Sequence, residues 1–288
     1  MAETLAKQQK EEWTLVLRPR RRLFDIPFKE IIEYSDLIRI FIKRDFVIKY
    51  KQTVLGPAWY VINPLISSIM YTFVFGHLAA LKTDGLPHML FYYTGTMLWN
   101  FFSNCFTDAV NLFVVNYNIF GKVYFPRLVV PISNVAGSFM KIAMQVLFLI
   151  AFYIYYLVIG VNITPSFYIL FFPFILLWIA LLANGIGMII SSMTTKYRDL
   201  RLLVEFALNI AMYGTAIVYP LSQIPEKYSW ISYVNPLNAP IELCRICFYG
   251  VGSINLWVIF TSVVETIFLF FLGLIMFNQN ERNFIDVF

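Results

Sequence analysis

The sequence predicts an all-α membrane protein. Six transmembrane helices are expected, with an amphipathic interfacial helix before the first and short re-entrant helices before the last. Three observations lead there. Of 288 residues, 59% are hydrophobic and 14% charged, whereas a soluble domain carries roughly 25% charged residues; mean hydropathy is +0.69. Apolar segments recur at about the 20 residues that one bilayer crossing needs. The third observation is the placement of Lys and Arg. With six crossings and the N-terminus inside, eighteen fall in cytoplasmic parts and three (Lys82, Lys227 and Arg245) outside, a strong positive-inside asymmetry.

Residues 1–27 are polar and hold Arg18, Arg20, Arg21 and Arg22, so they read as a solvated cytoplasmic tail within reach of anionic headgroups. No apolar run precedes residue 55, so no cleavable signal peptide is expected and both termini are expected in the cytoplasm. Over 28–52 the pattern is helical and two-faced. Ile31, Tyr34, Leu37, Ile38, Phe41 and Ile42 recur at three- and four-residue spacing, with Glu33, Asp36, Arg39, Lys43 and Arg44 opposite. Such a helix lies in the bilayer surface. Gly56-Pro57 interrupts it, and from Ala58 the chain is apolar all round.

Crossings are placed near 58–78, 88–115, 128–160, 167–190, 202–219 and 255–277, within a transmembrane domain of 58–277; residues 278–288 form a cytoplasmic tail. The internal loop 116–127 is short and amphipathic, suited to a small helix parallel to the membrane. The external connection 220–254 holds Pro225, Trp230, Asn235-Pro236 and the apolar stretch 241–249. That stretch is too short to cross and too apolar for a free loop, which fits re-entrant helices shielded by protein.

Few motifs of catalysis occur. Gly121-Lys122 lacks the rest of a phosphate-binding loop, and no HExxH, GxSxG or GxGxxG is present. His77 and His88 flank the first external loop, at headgroup level rather than as metal ligands; Cys244 and Cys247 lack the second half of a zinc site and read as small apolar residues. No nucleic-acid partner is implied, because membrane orientation accounts for the basic N-terminal region. Lys141 and Glu265 are the ionisable residues deepest in the crossings, where charge costs at least ~2.5–3.5 kcal/mol. They either line a transport path or pair across the third and sixth crossings; for Lys141, snorkelling to the cytoplasm is the alternative. Trp99, Phe102 and Phe106 lie deep in the second crossing, as lipid-facing packing or as a sliding surface for sugar rings.

The residues also resemble a known family. Arg44-Asp45, Lys49-Tyr50-Lys51, Leu55-Gly56-Pro57-x-Trp59 and Asn63-Pro64 come first; Phe125-Pro126, Tyr197-Arg198-Asp199-Leu200, Tyr219-Pro220 and Asn235-Pro236-Leu237 with Arg245 and Gly250 follow. In this order the chain resembles the membrane subunit of ABC-2 (type V) exporters, in the branch that moves O-antigen, capsule and teichoic acid. The tail 1–27 is longer than in short family members, and Lys141 matches no family position.

The resemblance implies a bacterial cytoplasmic-membrane homodimer with two copies of a separate ATPase that hold ATP and Mg; this chain would bind no cofactor or metal. Arg44, Lys49 and Lys51 on the surface helix would contact the ATPase. So would Asn116, Asn118, Phe120 and Lys122 in the 116–127 loop, and Arg198 and Asp199 in the 191–201 loop. A lipid-linked polysaccharide would thread a channel at the dimer seam, with Tyr92, Trp99, Phe102, Phe106, Lys141 and Glu265 as candidate lining. Tyr219, Trp230 and Tyr233 would belong to an external gate in 220–254. Rival readings are an ABC-2 exporter of drugs or small lipids, a lipid-linked sugar transferase and a secondary transporter. The transferase would need clustered carboxylates at the membrane face, and the secondary transporter corresponding broken helices in two halves; the sequence has neither.

Overall fold

A computed structural model describes residues 28–51, 53–116, 119, 125–161, 163, 166–194 and 199–287, and every regular element among them is helical. The tail 1–27, with Asn118, Phe120, Lys122 and Arg198, lies outside the described residues, as does the side chain of Lys49. The elements are α1 (Phe28–Glu33), α2 (Ser35–Tyr50), α3 (Trp59–Tyr71), α4 (His88–Val110), α5 (Leu112–Val115) and α6 (Val129–Val158). After these come α7 (Phe172–Thr194), α8 (Leu200–Tyr213), α9 (Trp230–Val234), α10 (Asn238–Tyr249) and α11 (Leu256–Val287).

Among the described residues, four helical stretches are long and apolar enough to cross a membrane: Gly56–Leu78, Val129–Val158, Phe167–Thr194 and Leu256–Gln279. Helix α4 is 23 residues long yet rich in Tyr, Thr and Asn. Its position explains that composition. It is the axis of the bundle, with α3, α6 and α7 packed around it, and its Leu90–Leu98 stretch is wholly buried. A helix that meets protein on all sides has no lipid to match. Helix α11 packs chiefly on α7. There Gly185 and Gly273 bring the two backbones together, and a Cβ on Gly185 would sit 2.7 Å from the Phe270 Cα.

Several boundaries differ from the sequence pattern, each for a local reason. The surface helix is divided at Tyr34 into α1 and α2. The second segment breaks at Asn111, which separates α4 from α5. The fifth ends at Tyr213 rather than 219, because Asn235 Nδ2 donates to the Gly214 carbonyl at 2.9 Å and Asn238 Oδ1 accepts from the Ala216 N–H at 2.9 Å. Those side chains satisfy a non-helical backbone at 214–216. The resulting α8 has 14 residues, about 21 Å of rise, against a hydrocarbon core of about 30 Å. The last helix runs to Val287, past 277.

Helix α3 carries Pro64 in its interior. Proline has no N–H, so the Tyr60 carbonyl loses its donor four residues on. The Gln145 side chain on α6 donates to that carbonyl instead, at 2.8 Å. Gly56, at φ 50°, sits at the break between α2 and α3.

Candidate functional site

The apolar face read along 28–52 is the face that packs. Ile31 and Phe41 are buried, and Tyr34, Leu37 and Ile38 join them against Phe113, Val129, Val130 and Phe277 at one end of the bundle. Glu33, Asp36, Arg39 and Lys43 point outward, together with Ile32, Ile40 and Ile48. Helix α2 rests mainly on α6.

Between α2 and the ends of α4 and α6 lies a cleft of about 280 Å³ lined by Arg44, Asp45, Asp108, Asn111, Asn134 and Lys141, among others. Arg44 Nε donates to Asp45 Oδ1 at 2.7 Å and Nη2 to Asn116 Oδ1 at 3.1 Å, while the guanidinium lies 4.6 Å over the Phe41 ring. Asn116 is held in turn, donating from Nδ2 to the Leu112 carbonyl at 3.0 Å. Two residues 72 positions apart are thereby joined, and the surface helix is tied to the start of the 116–127 loop. Lys51 and Asp199 lie on the surface.

Lys141 forms the cleft's inner wall at 8% exposure. Its Nζ bonds Asp108 Oδ2 at 3.2 Å and lies 5.8 Å over the Tyr60 ring. The pairing with Glu265 allowed by the sequence is therefore replaced by one with Asp108, on the neighbouring helix α4. Asp108 was legible only as a lone acid at the end of an apolar segment. Glu265 is half-buried on α11, with Oε2 buried and without a hydrogen-bond partner among the described residues.

The aromatic candidates Tyr92, Trp99, Phe102 and Phe106 are all buried by neighbours of their own chain. Trp99 and Phe102 have ring centroids 5.5 Å apart, and Phe102 and Phe106 stack at 5.8 Å. In one chain they form the packing core around α4, not an open lining. Uncovered aromatic and aliphatic side chains are found on other elements, among them α3 (Trp59, Ile66, Ile69) and α8 (Phe206, Ile210, Tyr213). Glu205, which sequence reasoning passed over, is exposed on that same short apolar helix α8.

At the other end, Trp230 of α9 is 58% exposed, and Tyr219 and Tyr233 are partly exposed. Helix α10 is by contrast fixed. Arg245, at 1% exposure, donates from Nη1 to Glu242 Oε2 at 3.2 Å and from Nη2 to the Ile217 carbonyl at 3.3 Å. Its guanidinium stacks 3.5 Å from the Phe91 ring centroid, which locks α10 onto α4. Buried charge of this kind persists only when paired. Cys244 and Cys247 are buried in the same helix, and no cluster of three metal-ligating residues occurs among the described residues.

A family model described as ABC-2 type transporter matches residues 36–249. An O-antigen export system permease protein RfbA of Klebsiella pneumoniae is 30% identical over 253 residues, covering 88% of this chain and 95% of that protein. RfbA of Myxococcus xanthus is 22% identical, covering 77% and 83%. The polysialic acid transport protein KpsM of Escherichia coli is 24% identical, covering 79% and 87%.

Proposed function

The chain belongs to the ABC-2 type transporter family, and from that premise we infer that it is the membrane permease subunit of an exporter of polysaccharide. Relatives matched along most of their length are named for O-antigen export and polysialic acid transport, which favours polymer over drugs or small lipids as cargo. The chain is a multi-pass protein of the bacterial inner membrane and is not itself an enzyme.

Six segments cross, α4 and α8 among them, with both termini cytoplasmic and α9–α10 re-entering from outside. Two copies of the chain pair with two copies of an ATPase, which binds ATP and Mg. The exposed faces of α3 and α8 meet across the dimer seam and bound the path of a lipid-linked polymer. Glu205 supports this placement, because a carboxylate turned to lipid is costly. The ATPase docks on the outward face of α2 and on the 116–127 and 191–201 loops.

One observation carries the coupling: α2 is joined to the bundle by the Arg44–Asn116 bond and the apolar contact of Phe41 with Phe125. A movement imposed on α2 therefore reaches α4 and α6 without slack. To drive a gate from mostly closed to mostly open, the ATP-bound partner must favour the open form by about 5.5 kcal/mol.

The test is co-purification and export. Charge-neutral replacement of Lys43, Lys49 and Lys51 together, with Arg44 kept for its bond to Asn116, should release the ATPase and stop delivery of polymer to the cell surface. Unchanged co-purification with unchanged export would refute the docking role.

A further inference from the structure

A second concavity lies on the side of the bundle away from α2's cleft. Helices α6 and α7 both pack on α4 far more than on one another, and the gap between them is a groove of about 500 Å³. That volume is within the range of ligand-holding pockets. Its walls are apolar, with Ile132 and Phe139 on α6, Leu177 and Leu181 on α7, and Phe270 on α11. Ile31 of α1 joins the lining at one end, beside Leu128 and Met188.

We propose that this groove holds one acyl chain of an anionic phospholipid from the cytoplasmic leaflet. Depth argues for it. Along α6 the groove runs from Leu128 to Phe139, and along α7 from Met188 to Leu177. Each is about 16 Å of helix rise, close to half of the roughly 30 Å hydrocarbon core, so the groove spans one leaflet. A crossing helix from a second copy would instead need a face running the full length. Charge argues for it too. Arg127, partly exposed, directly precedes Leu128 at the mouth.

The consequence reaches the coupling arm. Because Ile31 lines the groove at its mouth, beside Leu128 and Met188, the head-proximal part of the lipid chain bears on α1, and its presence holds α1 and α2 in their resting position. Asn184 is the polar residue of the lining; its Nδ2 donates to the Ala180 carbonyl at 2.9 Å, while Oδ1 has no donor among the described residues. An acyl chain makes no hydrogen bond there, so Asn184 should be dispensable.

The inference rests on the orientation proposed above, which protease protection of the 116–127 loop decides separately. Its own test is native mass spectrometry of the purified full-length chain. The wild type, Leu147→Trp (on the lipid-facing side of α6 outside the groove) and Asn184→Leu should each retain one phospholipid per chain. Ala136→Trp should lose it. Should that variant fail to insert, Ile132→Trp, at a side chain already 40% exposed, should lose it likewise. Arg127→Gln should abolish the preference for phosphatidylglycerol over phosphatidylethanolamine. Retention by the groove-filling variants, an adduct with the mass of a polyprenyl phosphate, or loss on Asn184→Leu would each overturn the proposal.

Discussion

Glu242→Leu removes the carboxylate that lies 3.2 Å from Arg245 Nη1 and leaves a guanidinium at 1% exposure without its counter-charge. Removing one partner of a buried ion pair costs about 3–5 kcal/mol. Arg245 keeps its bond to the Ile217 carbonyl and its stacking on Phe91, the latter worth about 2 kcal/mol when desolvated. The loss should therefore fall at the low end, about 3 kcal/mol. For a chain of this size that corresponds to a fall in Tm of about 6 °C. Cys105, Cys244 and Cys247 are all buried, so a thiol-reactive fluorophore reports unfolding of the purified chain in nanodiscs. The double variant Glu242→Leu with Arg245→Met replaces the pair by apolar groups of similar volume, which is commonly near neutral. It should melt within about 2 °C of the wild type and above either single variant. If the double loses as much as the two singles added together, the pair is not coupled, and α10 is held to α4 by packing alone.

Other expectations follow from the same contacts. Gly185→Ala should lower Tm by several degrees, since the new methyl meets the Phe270 backbone and overpacking costs about 1–3 kcal/mol. Gly137→Ala, which meets nothing within 4 Å, should leave Tm level or raise it, and equal losses at both sites would contradict the close approach of α7 and α11. Gln145→Met should cost about 1–2 kcal/mol in the same assay by removing the donor to the Tyr60 carbonyl; no change would mean that the break at Pro64 is satisfied elsewhere. Arg44→Ala should leave the chain inserted and bound to its ATPase but slow export about tenfold, the equivalent of a charged hydrogen bond of about 1.5 kcal/mol. Undiminished export would remove the Arg44–Asn116 bond from the coupling route.

The amphipathic lead-in and the apolar segments were legible because their periodicity is local: Ile31, Tyr34 and Phe41 face inward as spacing requires. What the pattern could not supply were pairings between distant residues. Lys141 reads as an unexplained charge until Asp108, 33 positions earlier, is brought beside it. Arg245 reads as one more basic residue in a loop, yet it is enclosed by Glu242, Phe91 and Ile217. Aromatic residues in α4 resemble a channel lining in sequence, because a ring that packs inside one chain and a ring that faces a pore have the same composition. Only the surrounding helices distinguish them. The early end of α8 depends on Asn235 and Asn238, more than twenty positions downstream of the backbone they satisfy.

The most direct measurement is the sidedness of α2. Single cysteines placed at Ser35 and Lys43, both exposed, should resist a membrane-impermeant maleimide in intact spheroplasts and react fully once the membrane is opened, with protection when the ATPase is bound. Reaction from outside in sealed spheroplasts would contradict the account, because a helix on the external surface cannot receive force from an ATP-driven partner in the cytoplasm.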